Sequence, residues 1–307
     1  MAKRRRRTLD DRCLYSVYFA PRGAVRMTEM GMQIGQRHLG AFDRLIGIVG
    51  ESGSGKSILI RGMFPGLQLS NDDNGVNVRP LPILEMDSGG FYEPHTYHID
   101  MRFEMAFTQV HVLADAVTEA IHRGRRVVVE HFELLYPHID MNAELLLGVG
   151  EDIIVTRPTI FGPLPQDLAD IAARSIKYRR MAHTAEDLVE RYLWDPYHDE
   201  YSHSEVRHGF VLEFERCPDI DLEDMERWVK EQIALDLPVC FVDDEHIRFG
   251  EKLHRCTGPR MHVSSTGQIE NFQLLHEFKF DPIDGNFLIV GLVGEPRTDL
   301  RDLNKIT

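Results

Sequence analysis

The chain has 307 residues, 43% of them hydrophobic and 27% charged, with a formal net charge of −14. That length holds one large domain or two ordinary ones, and the composition is that of a globular chain, not a disordered one. The acidic balance excludes a general nucleic-acid binder, since phosphate backbones are gripped by Lys and Arg.

No apolar run approaches the roughly 18 residues of a membrane span, so no membrane partner is expected. Four cysteines (Cys13, Cys217, Cys240 and Cys256) form no CxxC pair, which fits a reducing cytosol and a cytoplasmic location. The basic head, Lys3 to Arg7, lacks the apolar region of a secretory signal and reads as a solubilising tail, with contact to RNA or anionic lipid as the alternative reading. Residues 14–45 mix β-like runs such as "LYSVYFA" with turn formers, so residues 1–43 are set apart as a head of unassigned role.

From Arg44 the pattern sharpens into strand ("RLIGIVG"), glycine loop ("ESGSG") and helix ("KSILIRGMF"). "PLPILEMD" reads as a strand and "FTQVHVLADAVTEAIHRG" as an amphipathic helix; "RRVVVEHFELLY" and "EDIIVTRP" read as further strands. Short β-branched runs alternating with helices predict a parallel sheet covered on both faces. The helical stretch "PQDLADIAARSIKYRRMAHTAEDLVERYL" ends this half. "WDPYHDEY" then breaks the periodicity and puts a boundary near Asp195, dividing the chain into 44–195 and 196–307. The second part has an alternating strand ("RHGFVLEFERC"), an amphipathic helix ("IDLEDMERWVKEQIALDL") and short terminal strands.

"GESGSGKS", Gly50 to Ser57, satisfies G-x-x-x-x-G-K-[ST] between a strand and a helix. In such a phosphate loop the backbone of Gly50, Glu51, Ser52, Gly53, Ser54 and Gly55 wraps an anion at a helix N-terminus. Lys56 reaches the β and γ phosphates, and Ser57 ligates Mg²⁺. A nucleoside triphosphate, ATP or GTP, is the expected partner, with Mg²⁺ as cofactor. Asp87 follows a strand-like run as a candidate general base, and Glu130 ends a buried run, where a carboxylate needs a metal or a donor.

With these motifs in place, residues 44–193 resemble the uridine kinase and phosphoribulokinase family of P-loop kinases. The resemblance implies that Asp87, followed by the aromatic pair Phe91 and Tyr92, sits beside the acceptor hydroxyl, and that Glu130 sits near the metal and phosphates. It also implies that "RSIKYRRMAH", with Arg174, Arg179 and Arg180, is a basic lid over the nucleotide. His131 stands where the family prefers glycine. "EPHTYHIDMRFE", with His95, His98, Asp100 and Arg102, only loosely matches the family's nucleoside-contacting stretch.

Near the carboxy terminus, "CTGPRMHVSSTGQIENFQLL" keeps Cys256, Gly258, Pro259, His262, Val263, Thr266, Gly267, Ile269, Phe272 and Leu274 in order. It is similar to the end of the second additional domain, an editing module, of threonyl- and alanyl-tRNA synthetases, over roughly 203–293. There an H-x-x-x-H pair joins the Cys and His to hold zinc or build a hydrolytic site. No such pair precedes the "LEFE" run, and Arg260 and Met261 are inserted before His262. Cys256 and His262, with His203, His208 or His254 as further ligands, are the candidates for a second site. Zinc needs three or four protein ligands, so it is not expected.

The expected fold is therefore α/β: a P-loop parallel sheet flanked by helices, followed by a smaller α+β domain of the second-additional-domain type. The expected function is Mg²⁺-dependent phosphoryl transfer to a small hydroxyl acceptor, nucleoside-like or amino-acid-like, with the second domain reading substrate. The competing expectation is a nucleotide-driven switch that binds tRNA or an aminoacylated compound.

Overall fold

The computed structural model describes residues 15–70, 81–86, 95–197, 200–296 and 303–304. They fall into two compact units. The first takes the described residues up to Ala20 together with Met27–Arg174; the second takes Pro21–Arg26 and the described residues from Ser175 on. Overall the fold mixes α and β, with one sheet containing parallel strands and two that are antiparallel.

The first unit is built on a six-stranded sheet: β1 (Tyr15–Phe19), β2 (Leu45–Val49), β3 (Thr96–Asp100), β4 (Arg126–Glu130), β5 (Leu145–Val149) and β6 (Asp152–Thr156), in the order β1-β6-β5-β2-β4-β3. Strands β3, β4, β2 and β5 run parallel, whereas β6 and β1 pair antiparallel. The central strands β2 and β5 are apolar throughout, and β4 is apolar between its end residues, because both faces are covered. Ile46, Ile48, Val128 and Leu147 pack with Met27 and Ile34 of α1 (Ala24–His38) and with Leu59, Ile60 and Met63 of α2 (Lys56–Met63). On the other face, Leu45, Val49, Val127 and Val129 pack with three short or medium helices. These are α3 (Met101–Glu104), α4 (Val110–His122) and α5 (Phe132–Leu135).

Several sequence expectations differ from this sheet. "PLPILEMD" is not a strand: Pro82–Glu85 forms a 3₁₀ turn, as suits a run whose prolines lack the N–H a ladder requires. The neighbouring strand is β3, from the stretch expected to contact a nucleoside. "EDIIVTRP" joins the sheet antiparallel, and "LLLGV" supplies the parallel strand β5. Helix α1 lies in the segment left without a role, its apolar stripe interrupted by Gly31 and Gly35.

Those glycines are explained by helix packing. A Cβ on Gly62 of α2 would lie 2.2 Å from the Thr28 carbonyl oxygen and 2.9 Å from the Gly31 Cα. Backbones this close admit no side chain.

Helix α6 (Pro165–Tyr197) runs uninterrupted for 33 residues, so the proline in "WDPY" does not end it early, and the division between units falls within it, at Ser175, not near Asp195. In the second unit, β7 (Tyr201–Val206), β8 (Gly209–Phe214), β12 (Gln273–Leu274), β13 (Lys279–Phe280) and β14 (Phe287–Leu292) form one antiparallel sheet. A smaller antiparallel sheet comprises β9 (Val239–Asp243), β10 (His246–Phe249) and β11 (Lys252–Arg255). Met181, Ala185, Leu188 and Val189 of α6 pack with Phe210 and Leu212 of β8 and with Met225 and Val229 of α7 (Leu222–Ala234).

Gly62→Ala should destabilise the first unit by about 1–3 kcal/mol, the usual range for forcing a methyl into a closed contact. A lower urea midpoint with an unchanged slope is the expected result.

Candidate functional sites

In the first unit the carboxyl ends of β2, β4 and β3 converge on one spot, the usual place for a ligand in an open α/β sheet. Strand β2 feeds the loop 50–55. Gly50, Gly53 and Gly55 hold φ values of 142°, 77° and 91°, conformations that favour glycine and turn the backbone onto α2. Lys56 is buried, and its Nζ donates to the carbonyls of Gly50 (3.0 Å) and Glu51 (2.8 Å) and lies 4.0 Å from Glu130 Oε2. The Ser57 hydroxyl donates to Glu130 Oε1 at 2.8 Å. Arg102 donates to Ser52 Oγ at 3.0 Å, bringing a second cation beside the loop.

Glu130 is the centre of this group. The Ser70 amide donates to His98 Nδ1 (3.0 Å), so the ring proton sits on Nε2 and points at Glu130 Oε1, 3.2 Å away. Burial pushes the Glu130 carboxyl up, but His98, Lys56 and Ser57 together outweigh it and hold it below its ordinary value. Burial likewise pulls the Lys56 ammonium down, against the charges of Glu130, Asp100 and Glu133. His131 takes the left-handed conformation (φ 56°), which accounts for a glycine preference at that place.

Asp87 lies outside the described residues. Asp100 instead ends β3 directly beside Glu130 in the register, and its Oδ1 caps α3 by accepting from the Phe103 amide at 3.1 Å. Of the three arginines expected in a lid, Arg174 is exposed and belongs to the first unit, whereas Arg179 is buried in the second, where its Nη2 donates to the Pro21 carbonyl at 2.6 Å; that guanidinium serves the interior. Arg180 belongs to the same unit and is half-buried.

The second unit holds a different constellation. On α6, His183, Glu186, Asp187 and Glu190 recur at i, i+3, i+4 and i+7, one face of a helix. His183, Glu186 and Asp187 are almost fully buried. Cys256 and His262 meet this face: one ligand atom each of His183, Asp187, Cys256 and His262 lies within 4.8 Å of the others. Cys256 Sγ is 3.4 Å from His183 Nε2 and 3.2 Å from His262 Nε2, and Asp187 Oδ2 is 3.6 Å from His262 Nε2. The residues inserted before His262 do not separate the pair, because the Met261 amide closes a turn onto the Gly258 carbonyl at 3.0 Å.

The expected ligands His203 and His208 are not part of this group. His203 Nδ1 bonds Glu186 Oε1 at 3.1 Å, in a neighbouring cluster, and His208 stacks on Tyr178 with centroids 3.7 Å apart. The shortage of ligands behind the expectation of no zinc is therefore not what the fold shows. Where an H-x-x-x-H pair is expected upstream of the "LEFE" run, α6 carries His183-x-x-x-Asp187, one turn apart. "SSTG" is structural: Thr266 is buried, its hydroxyl donates to the Gln232 carbonyl (2.8 Å) and accepts from the Leu237 amide (2.9 Å).

The donor set fits a metal such as Zn²⁺. Thr184 Oγ1 donates to the Arg180 carbonyl (2.9 Å), so at 3.2 Å it must accept from His262 Nδ1, leaving the Nε2 lone pair facing Cys256 and Asp187. Burial pulls His262 down to about 3 and holds His183 well below its ordinary value, so both imidazoles are neutral and able to ligate. Burial, then the Asp187 charge, push the Cys256 thiol far up; a cation is what would ionise it. Asp187 Oδ2 is buried with no hydrogen-bond partner.

Next to this group lies an ion-pair network. Arg22 Nε meets Glu186 Oε2 at 2.7 Å, its Nη1 meets Glu205 Oε2 at 2.8 Å and donates to the Gly209 carbonyl at 3.0 Å. Burial pushes the Glu186 carboxyl up, but Arg22 and then His203 hold it below its ordinary value. For its neighbour the balance is reversed: burial and the Glu186 charge outweigh Cys256 and Arg22 and hold Asp187 well above the usual carboxylate range.

No protein-family model matches the chain, and no curated protein matches it in sequence.

Arg22→Met should lower the stability of the second unit by about 3–5 kcal/mol, because it leaves buried carboxylates without their cation. Adding Glu186→Gln to that variant should recover part of the loss. Thermal unfolding of the single and double variants reads the coupling.

Proposed function

We propose that the first unit binds a nucleoside triphosphate, ATP or GTP, as its Mg²⁺ complex and transfers the γ-phosphoryl group to a small hydroxyl acceptor. The observation that carries this reading is the 2.8 Å contact between Ser57 Oγ and Glu130 Oε1, with Lys56 alongside. A loop hydroxyl and a carboxylate from the adjacent strand are the pair that hold Mg²⁺ in phosphate-loop proteins. When bound, the ion supplies charge neutralisation at the β and γ phosphates.

The residues divide the remaining work. Lys56 leaves the Gly50 and Glu51 carbonyls to meet the triphosphate, and Arg102 adds charge at the loop. His98 orients Glu130 through its Nε2 proton. Asp100, at the carboxyl end of β3, takes the role of general base for the acceptor hydroxyl that the sequence assigns to Asp87.

A second reading concerns the other unit, and the four-residue group of His183, Asp187, Cys256 and His262 favours it. We read this group as a zinc site of the editing-module type, in keeping with the resemblance of "CTGPRMHVSSTGQIENF". On this reading the partner of the second unit is an aminoacylated compound, with tRNA as its carrier.

ADP release measured against nucleosides, free amino acids and tRNA tests the first reading; one hydroxyl acceptor should raise turnover well above the basal rate. Lys56→Ala should abolish turnover, and wild-type turnover in that variant would overturn the assignment. Asp100→Asn should lower transfer about 10²- to 10⁴-fold with nucleotide affinity nearly kept. The same loss in Asp87→Asn, with Asp100→Asn unaffected, would return the base to Asp87. For the second reading, elemental analysis should find zinc that is reduced in Cys256→Ser and in His183→Ala; a metal-free protein after purification in zinc-containing buffer overturns it.

A further inference from the structure

In the first unit, strand β6 ends beside the amino ends of β5 and β2, at the end of the sheet opposite the phosphate loop. The chain continues into a tight turn, where Thr159 and Gly162 exchange two backbone hydrogen bonds of 3.0 and 3.1 Å. Between them stand Ile160 and Phe161, 93% and 91% exposed. Such corners ordinarily take Gly, Asn, Asp, Ser or Pro, so the turn itself does not ask for large apolar side chains. The turn is also pinned, because the Phe161 amide donates to Thr159 Oγ1 at 3.1 Å. Two apolar side chains are thus held out on a fixed support.

Beside the turn opens a cavity of about 660 Å³. Its apolar wall comes from Tyr136, Ile139, Met141, Ala143, Pro158 and Leu164. Of its polar lining, Arg157, Asn142 and Glu144 are already engaged within the chain. Arg157 forks onto Asp43 at 3.0 and 2.8 Å and donates to the Glu144 and His38 carbonyls. The Asn142 side chain donates to the Pro163 carbonyl (3.3 Å) and accepts from the Ala143 amide (2.8 Å). Glu144 accepts from the Leu45 amide at 3.4 Å. A site for a small polar ligand would instead offer convergent polar groups with capacity to spare.

We propose that this surface joins two copies of the chain: around a two-fold axis, the Ile160–Phe161 turn of each copy enters the cavity of the other.

A second copy fits because knob and hole lie side by side. Ile160 belongs to both, standing at the tip of the turn and lining the cavity. A knob and a hole on distant surfaces link copies into open chains, whereas adjacent ones close into a pair. Every contact then occurs twice, so two modest insertions add toward the roughly 1,000 Å² that a specific interface needs. A buried aromatic such as Phe161 contributes about 150–250 Å² of this, and its pinned turn loses little freedom on docking. A lipid surface fits less well. The chain has a net charge of −14, and the exposed Asp140 lines the cavity, so anionic headgroups are repelled. The surface shares no residue with the phosphate loop or with the four-residue group, so the proposal stands apart from both functional readings.

Sedimentation equilibrium of the full chain without nucleotide should show a reversible monomer–dimer equilibrium in the micromolar range. Phe161→Asp should lower the association constant about 10²-fold, the scale of a hot-spot aromatic. Its side chain is exposed, so the replacement removes no internal packing, and an unchanged circular-dichroism spectrum checks this. Met141→Arg, which obstructs the cavity, should weaken association likewise. The two variants mixed should associate more tightly than either alone, because one copy keeps its turn, the other keeps its cavity, and one insertion is restored. A mixture no tighter than its components overturns the reciprocal insertion. A dimer that survives both substitutions puts the interface elsewhere and overturns the proposal. So does a wild type that stays monomeric throughout the micromolar range; if that monomer binds lipid vesicles and Phe161→Asp does not, the occupant is a membrane.

Discussion

Charge inside a folded unit must be answered by charge, and in the second unit the answer is Arg22. Helix α6 carries Glu186, Asp187 and Glu190 on a face that is otherwise interior, and Glu205 comes in from β7. A lone buried carboxylate costs several kcal/mol. Arg22 meets two of these acids and the carbonyls of Gly209 and Ser204, so a single fork of five donors satisfies strands and helix together. That demand explains why the short segment Pro21–Arg26 belongs to this unit although the chain on both sides of it belongs to the other. It also leaves Asp187 and Glu190 as the acids that Arg22 does not reach.

The first unit solves its own charge problem by hydrogen bonding. Glu130 ends a strand whose middle is three buried valines and would be expensive there, yet Ser57, His98 and Lys56 all meet it. The same contacts that make the carboxylate tolerable also aim it. His98 is locked by the Ser70 amide on one side, so its proton has a single direction. Stability and orientation are here one arrangement.

Much of this was legible in the sequence where local chemistry and function coincide. The glycine loop could be read because a positive φ at Gly50, Gly53 and Gly55 leaves a spacing that few other uses produce. Cys256 and His262 were legible as a pair for a similar reason. What escaped is what only packing decides. The run before Asp87 has the hydrophobicity of a strand, and its prolines, not its hydropathy, settle the matter; the strand that fills the place ends in Asp100. Helix α1 hid because Gly31 depresses helix propensity while serving a backbone contact. His203 and His208 lie closer in sequence to the expected module, yet the side chains that gather with Cys256 and His262 come from α6. A signal was present there: His183, Glu186, Asp187 and Glu190 at helical spacing, beside an apolar stripe of Met181, Ala185, Leu188 and Val189. A polar face that runs along the buried stripe is costly, and that cost is the mark of a site.

On the proposed zinc reading, the carboxylate of Asp187 sets what a cation held by the four-residue group could do. Two imidazoles, a thiolate and a carboxylate together carry the charge of the cation they surround, whereas three imidazoles and a thiolate leave half of it unbalanced. An ion whose charge is cancelled by its ligands has little left with which to acidify water. Four protein donors also leave it no vacant place. The carboxylate, unlike an imidazole, has a second oxygen: Oδ1 lies 3.7 Å from His183 Nε2, and Oδ2 lies 3.6 Å from His262 Nε2 and 3.9 Å from His254 Nε2.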